Sequence, residues 1–443
     1  MIPEIHRAAA PVVQRFALTL AAACLVLLLP AASFGETAPQ KEKPSELRGE
    51  PIGANQALAI IPDLDEATRT ADGLGVWTHS VSMEGAAFLR PRFADFDLRP
   101  GDSLIVRSAS GRVVETLRGQ GPKDRRSFWG LSAFGSELHL ELRFRGVYRQ
   151  APFRITDVIV GDPAMLESVT AVPGAPAPPA QKSICAPADF EDVVCYDSDT
   201  PKWANIFASA GVATADTGAG ALWCSGANVS PLNYVLTNHH CIGSQSECDN
   251  AEFIFKYYRT GCNDGSPTTQ DWVSYRCDEM VAFSPWNNQC DSPIDELDFS
   301  LHSVMGDPAT DFGFVTPDPT PLNNGEGIYI VQHPSGRPHE IAHGSGANVE
   351  IDTGGGALSV LRYYDTLDTE GGSSGSPVFR ESDDLMVGLH HCGGCSTAGV
   401  GNRGMLMSDI YPIIESFLCQ PMLSLSSGAA GDITEVSGNG DAV

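Results

Sequence analysis

Three short stretches concentrate the side chains able to do nucleophilic chemistry. The first is Tyr234-Val235-Leu236-Thr237-Asn238-His239-His240-Cys241, preceded by Cys224-Ser225-Gly226-Ala227. The second is Leu297-Asp298-Phe299-Ser300-Leu301, with Asp295 and Glu296 just ahead of it. The third is Gly371-Gly372-Ser373-Ser374-Gly375-Ser376-Pro377-Val378. A serine hydroxyl is a weak nucleophile until a base takes its proton. A histidine does that near neutral pH, and a carboxylate fixes its tautomer and stabilises the imidazolium. Glycine at 372 lets the backbone turn so that amides can face a developing oxyanion. The third stretch does not read as a Ser/Gly linker. Pro377-Val378-Phe379 and then Leu385-Met386-Val387-Gly388-Leu389 follow it directly and look like paired strands.

The elements that must position these residues are short and β-like. Residues 185–420 are rich in Gly, Pro and short apolar runs, with a helix expected from Asp409 to Leu418. That pattern suits an all-β barrel fold. Residues 71–162 lack cysteine and read as a small antiparallel β-sandwich. Phe88-Leu89-Arg90, Ser103-Leu104-Ile105-Val106, Val113-Val114 and Leu138 to Phe144 are its strand signals. Arg99-Pro100-Gly101-Asp102 and Ser110-Gly111 are its turns. Between the two units, residues 163–184 form a Pro/Ala-rich linker, where Lys182-Ser183 is a candidate processing bond. Residues 36–70 read as a polar leader, and residues 421–443 as a disordered acidic tail with little to bury.

Taken together, the three stretches resemble the chymotrypsin-like serine proteases. The histidine segment resembles the strand ending in Thr-Ala-Ala-His-Cys, with His239 replacing a small residue. Leu297 to Leu301 resembles the Asp-hydrophobe-small-Leu strand. Gly371 to Val378 resembles the Gly-x-Ser-Gly-Ser-Pro nucleophile loop. The order His, Asp, Ser is that family's order. The resemblance covers residues 185–420. It implies a double antiparallel β-barrel with a C-terminal helix, His240 as general base, Asp298 as orienting carboxylate and Ser374 as nucleophile. It also implies an oxyanion hole from the Gly372 and Ser374 amides. The preceding sandwich resembles the jelly-roll or CUB-like module found ahead of some bacterial trypsin-like proteases.

Within the family, the order of cysteines and Val331-Gln332-His333-Pro334 resemble the bacterial lysyl endopeptidases. That branch implies the disulfides Cys224–Cys241, Cys185–Cys395 and Cys195–Cys262, and leaves Cys248, Cys277, Cys290, Cys392 and Cys419 unassigned. Ser373 stands where animal trypsins carry the aspartate that pairs with a new N-terminus, so that activation switch is absent. Two specificity signals oppose each other. Asp368 lies six residues before Ser374, at the position of the trypsin pocket carboxylate, which implies Arg or Lys before the cut bond. Gly388-Leu389-His390-His391-Cys392-Gly393-Gly394 resembles the strand of glutamyl endopeptidases, which would make His390 a selector for Glu.

The bulk properties fit this reading. The 443 residues carry 55 acidic and 28 basic side chains, a formal charge of −27, which argues against nucleic acid as a partner. His6, Arg7 and Arg15 precede an apolar run from Phe16 to Leu29, followed by small residues, so residues 1–35 read as an export signal. The expected product is a secreted or periplasmic monomer with protein or peptide substrates and no membrane anchor once the signal is cut. Of twelve cysteines, Cys24 falls in the apolar run and the other eleven lie between Cys185 and Cys419. Export with clustered cysteines favours disulfides over metal ligation, although His390-His391-Cys392-x-x-Cys395 and His239-His240-Cys241 bring soft ligands together. No metal and no cofactor is expected. Two rival readings are a catalytically inactive binding protein of the same fold, and a binding role centred on the sandwich. Trp77 and Trp129 read as core residues, and Arg125-Arg126 as a solvated turn.

Overall fold

The computed structural model describes residues 49–166, 184–185, 189–216, 220–263, 272–287, 289–291, 293–354, 358–364, 366–394 and 401–418. The chain divides into residues 1–42 and residues 43–443, and every described residue belongs to the second unit. The expected signal, the tail, Lys182, Ser183, Cys24, Cys395 and Cys419 lie outside the described residues.

The N-terminal strands are β1 (Glu50–Ile60), β2 (Leu74–Ser82), β3 (Phe88–Ala94), β4 (Ser103–Ser108), β5 (Val113–Leu117), β6 (Glu137–Arg145) and β7 (Arg154–Gly161). They form two antiparallel layers. One runs β2-β6-β4-β5, with Thr68–Arg69 added at the β2 edge. The other runs β1-β7-β3, with Phe128–Trp129 and Ala133–Phe134 on β3. Alternation on β6 buries Leu138, Leu140, Leu142 and Phe144 on one face. These pack against Phe93, Phe96, Phe128 and Phe153. The expected turns are present, with Gly101 and Gly111 at φ 89° and 84°, where a side chain would be strained.

Two expected boundaries shift. The leader expected over 36–70 contains β1. That strand shows no hydropathy period because its only buried residues are Ile52 and Ile60; backbone pairing on both edges holds it instead. Gly53 is required there, since an added Cβ would lie 2.8 Å from the Val160 carbonyl oxygen. Of the linker expected over 163–184, residues 167–183 lie outside the described residues. Pro163–Leu166 is a 3₁₀ turn with Met165 buried, and the Tyr257 hydroxyl donates to the Met165 carbonyl at 3.0 Å.

The second unit opens with α1 (Thr200–Ala208) and continues into β8 (Ser209–Asp216), β9 (Gly220–Ser230), β10 (Tyr234–Thr237), β11 (Ala251–Phe255), β12 (Val273–Ser284) and β13 (Phe299–Met305). These pair in the order β8-β11-β12-β13-β10-β9, and β9 returns to β8, closing a six-stranded antiparallel barrel. Then come β14 (Ile328–Gln332), β15 (Glu340–Gly344), β16 (Val349–Asp352), β17 (Val360–Tyr363), β18 (Pro377–Arg380), β19 (Met386–Cys392) and β20 (Asn402–Leu406). They form a second curved sheet in the order β15-β14-β18-β19-β20-β17-β16, with Glu191–Asp192 beyond β15. The helix α2 (Met407–Leu418) follows and buries Met407, Ile410 and Ile414. The fold is all-β with few helices, a closed barrel and a half-barrel, as expected.

The sandwich is not a separate bead. Its second layer continues into the closed barrel through β1, which pairs with β9. Ile52, Phe88, Trp129 and Ile159 share a core with Trp223, Tyr257 and Trp272. At this seam Arg90 is fully buried, 3.3 Å from Glu252, and donates to the Gly130 carbonyl at 2.7 Å. The Glu252 carboxylate also accepts the Ser132 amide at 3.0 Å. Arg125, expected in a solvated turn, is exposed and reaches across to Asp249.

Candidate active site

His240 stands in the turn just after β10, and Asp298 immediately before β13, the neighbour of β10 in the barrel. The pairing of these strands therefore brings the two side chains together. The His240 Nδ1 and Asp298 Oδ2 are 2.7 Å apart, and the His240 amide donates to Oδ1 at 3.0 Å. Asp298 is fully buried. Its backbone sits at φ 44°, a strained position for a non-glycine residue, pinned by Asn238 Nδ2 on its carbonyl at 2.8 Å. Burial alone would raise the Asp298 carboxyl. The charge and hydrogen bond of His240, with a smaller contribution from His391, hold it well below the usual carboxylate range. An ionised acceptor at Nδ1 fixes the Nδ1–H tautomer of His240, with Nε2 as its basic nitrogen.

Ser374 lies in the loop leading into β18. The Ser374 carbonyl accepts the Ser225 amide of β9 at 2.7 Å and lies 3.9 Å from the Sγ of Cys241, the residue after His240. Gly375, at φ 84°, closes on the same strands; an added Cβ would lie 3.2 Å from the Asn238 amide nitrogen. The nucleophile loop is thus seated against the segment that carries His240. Gly372 has φ 89°, and a Cβ there would lie 2.8 Å from the His333 carbonyl. The Gly371 carbonyl accepts the Ser335 amide and the Gly372 carbonyl accepts Ser225 Oγ at 2.9 Å, so both flanking peptides are fixed. Among the described residues, no protein acceptor takes the Gly372 or Ser374 amide.

The two sequence-predicted selectors, Asp368 and His390, are both buried. Asp368 is buried, and both carboxylate oxygens accept backbone amides, from Cys185 at 2.6 Å and Asp189 at 2.9 Å. Its oxygens anchor the start of the protease unit and do not face an open pocket. Burial pushes this carboxyl up to about 6, against the pull of those two amides. His390 is buried on β19, with its Nδ1 engaged by the Tyr363 hydroxyl. Burial, with His391 and His240 adding repulsion, pushes it down to about 3, so it is neutral near pH 7.

Two neighbours of His240 were not legible as site residues. His391 Nδ1 lies 3.6 Å from Asp298 Oδ2, a second imidazole on the same carboxylate. The signal was the His-His pair on a strand buried on both faces. Trp286 lies beside the His240 ring, centroids 5.3 Å apart. Its loop is tied to β19 by Cys290–Cys392, one of two bridges, with Cys248–Cys277, that the cysteine spacing did not assign. Cys195–Cys262 and Cys224–Cys241 are present as the resemblance implied. Cys185 is disulfide-bonded, while Cys395 lies outside the described residues.

Among the described residues, two clusters have metal-type ligands close together: Cys224 with His240 and Cys241, and Cys248 with Cys277 and His302. In each, both sulfurs are spent in a disulfide, which leaves a single histidine and no thiolate.

A closed six-stranded barrel carrying the buried His240–Asp298 pair, and a half-barrel entered by the Ser374 loop, give the chymotrypsin-like architecture. Comparison with known families narrows this. Residues 190–411 match the family described as lysyl endopeptidase, C-terminal domain, and the chain belongs to that family. A curated relative, secreted RxLR effector protein 73 of Plasmopara viticola, is 26% identical over 338 residues, spanning 73% of this chain and 79% of its own. Among solved structures, the protease Anisep of Arthrobacter nicotinovorans is 16% identical with a TM-score of 0.34, covering 48% of this chain and 96% of its own. A Glu endopeptidase structure is 21% identical with a TM-score of 0.33, covering 46% of this chain and 88% of its own.

Proposed function

We propose that this chain is an exported serine endopeptidase that cuts proteins or peptides through an acyl-enzyme. The observation that carries the reading is the buried His240–Asp298 pair, with both carboxylate oxygens used on His240. In the first step Ser374 Oγ attacks the scissile carbonyl carbon while His240 Nε2 takes its proton. The Gly372 and Ser374 amides then receive the oxyanion, and Asp298 stabilises the imidazolium. His240 passes its proton to the leaving amine. Water next enters along the same path, releasing the acid and restoring the serine.

Of the expected basic preference, cleavage after Lys is supported by the family's description as lysyl endopeptidase. Asp368 and His390 do not support either preference, because Asp368 is spent on backbone amides and His390 is neutral. Export is supported by the four described disulfides and by the relative named as a secreted effector. The test is a peptide-library digest by the purified protein beside Ser374→Ala, read by mass spectrometry. The expected result is cleavage after basic residues that disappears in the variant. Cleavage after Glu would replace the specificity, and no cleavage by either form would replace the enzyme with a binding protein.

A further inference from the structure

The turn between β14 and β15, residues 333–339, touches three parts of the molecule at once. Toward the barrel, the His333 amide donates to Ser225 Oγ at 3.0 Å, and the His339 amide donates to the Tyr257 carbonyl at 2.8 Å. Toward the nucleophile loop, the Ser335 amide donates to the Gly371 carbonyl, Ser335 Oγ donates to Glu370 Oε2 at 3.2 Å, and Arg337 pairs with Glu370. Toward the sandwich, a Cβ on Gly336 would lie 2.6 Å from Ile52 Cγ2 and 3.5 Å from Met165 Cε. Ser335 is held at φ 52°, a strained position for a residue with a side chain. The turn therefore stays in this shape only while its contacts hold it.

His333 and His339 close the turn on itself. Their rings are stacked, with centroids 3.7 Å apart and planes 24° from parallel, and both side chains are fully buried. Tyr257 stacks on His333 at 5.5 Å, and Trp223 meets it edge-on at 5.4 Å. His333 Nδ1 lies 2.8 Å from the Arg337 carbonyl, which can only accept, so Nδ1 carries the proton and Nε2 is bare. Among the described residues, no group partners His333 Nε2 or either ring nitrogen of His339. The charged and titratable groups packed around the turn are Arg337, Glu340 of β15, Glu370 of the nucleophile loop, Tyr257, Arg259, Asp192 and, from β1, Glu50. Arg337 already engages Glu340 and Glu370, and Arg259 lies 3.3 Å from Asp192. Glu50 lies against Gly371 beside Glu370. An imidazolium in this stack would face a second ring and two guanidiniums, with the adjacent carboxylates already paired. Burial pushes His333 down to about 3, against the pull of the Arg337 carbonyl. Burial, and repulsion from His333, push His339 well below the ordinary histidine range.

We propose that the stacked pair His333–His339 is an acid-sensitive latch on the nucleophile loop. Neutral, the stack keeps residues 333–339 closed on Glu370, Gly371 and Gly372. Protonated, it opens the turn, and the loop loses its support. The consequence for catalysis rests on the serine endopeptidase reading, while the opening of the turn does not. The sign of the effect is fixed by burial. Both histidines bind protons more weakly closed than open, so the closed turn is fully favoured above pH 6.5 and loses ground as pH falls toward 3. The open turn takes up two protons from water, so the opening equilibrium should rise by about a hundredfold per pH unit, tenfold for each histidine.

The test is amide hydrogen exchange from pH 7.5 to 4.5, corrected for intrinsic rates and read by mass spectrometry. The full chain carries Ser374→Ala to prevent self-digestion, alone and combined with His339→Phe or His333→Gln. Phenylalanine keeps a stacked ring that cannot take a proton, and glutamine keeps a donor for the Arg337 carbonyl. In the parent, residues 333–339 and 370–376 should lose protection together, by about a hundredfold per pH unit below 6.5, while β6 of the sandwich stays protected. Either added substitution should cut that dependence to about tenfold per unit. Protection retained at 333–339 down to pH 4.5 overturns the latch. So does opening of 333–339 without 370–376, or a dependence that both substitutions leave unchanged. Should a substituted chain not fold at pH 7.5, the parent decides alone, and a dependence of about tenfold per unit or less overturns the latch. Exchange needs no turnover, so a wild type inert toward anilides of Arg, Lys and Glu overturns the proposed function alone. An active wild type should lose kcat/KM on the acid side more steeply than one proton allows, and His339→Phe should restore the one-proton slope of His240.

Discussion

The sandwich and the protease unit solve the same stability problem with different chemistry. The sandwich, residues 49–166, contains no cysteine and relies on a core of ring contacts; Phe93, Phe96, Phe128 and Phe153 stack edge and face within about 6 Å of one another. The protease unit is threaded with four described disulfides, two of which anchor the cleft itself: Cys224–Cys241 beside His240, and Cys290–Cys392 across it. A regular sandwich can bury its strands by alternation. Segments such as 285–287 and 289–291 are largely exposed, so a covalent tie through Cys290 takes the place of burial there. The two units then meet at a seam that is neither purely apolar nor open, closed by the Arg90–Glu252 pair.

That contrast can be broken in several places. The largest effect is expected at the His–Asp pair. Asp298→Asn keeps the shape but presents the wrong group to Nδ1, and kcat should fall about 10⁴-fold with little change in the folded spectrum. Next comes the seam. Arg90→Ala leaves Glu252 buried without its cation, and a loss of about 3–5 kcal/mol in denaturant unfolding is expected. A loss below 1 kcal/mol would mean that the sandwich and barrel are not coupled through this pair. Removing Cys290 and Cys392 together should cost about 2–4 kcal/mol, with a larger fractional loss of activity than any sandwich substitution of equal ΔΔG.

Smaller effects sharpen the assignment of roles. Asp368→Ala should lower stability by about 1–2 kcal/mol, the cost of two part-buried amides losing their acceptor, and leave the residue preferred before the cut bond unchanged. A changed preference would return Asp368 to the pocket. The sign of its pH dependence is also fixed. Its folded pKa, about 6, lies above the ordinary 3.8, so its contribution to stability is complete at low pH and is lost as pH rises through 6. Thermal melts from pH 4 to 7 should show a downward contribution that Asp368→Asn removes. His391→Ala should lower kcat about tenfold through the Asp298 carboxylate, leave KM in place and displace the acid limb of the pH–rate profile.

The His240–Asp298 pair of the candidate site was legible because the two motifs announce neighbouring strands, and pairing of β10 with β13 brings the side chains together. The strands of the sandwich were legible from alternation at Leu138 to Phe144. β1 was not, because its stability comes from backbone pairing and from glycines that admit close approach. Those features leave no hydropathy period. The amide partners of Asp368 were not legible, because a count of six residues fixes its distance from Ser374 along the chain but not which amides come to cap it. The pairs Cys248–Cys277 and Cys290–Cys392 depend on loops meeting in space, which spacing does not encode. His391 was visible as a residue, while its role required knowing that β19 passes beside Asp298.

The most direct test of the central claim is covalent capture of the nucleophile. The folded protein is treated with a fluorophosphonate and digested, and the modified peptide is sequenced. The account predicts one adduct per chain on Ser374, abolished by Ser374→Ala and slowed by His240→Ala. Folded protein that takes no label, or takes it on Ser373 or Ser376 with Ser374 untouched, would contradict it.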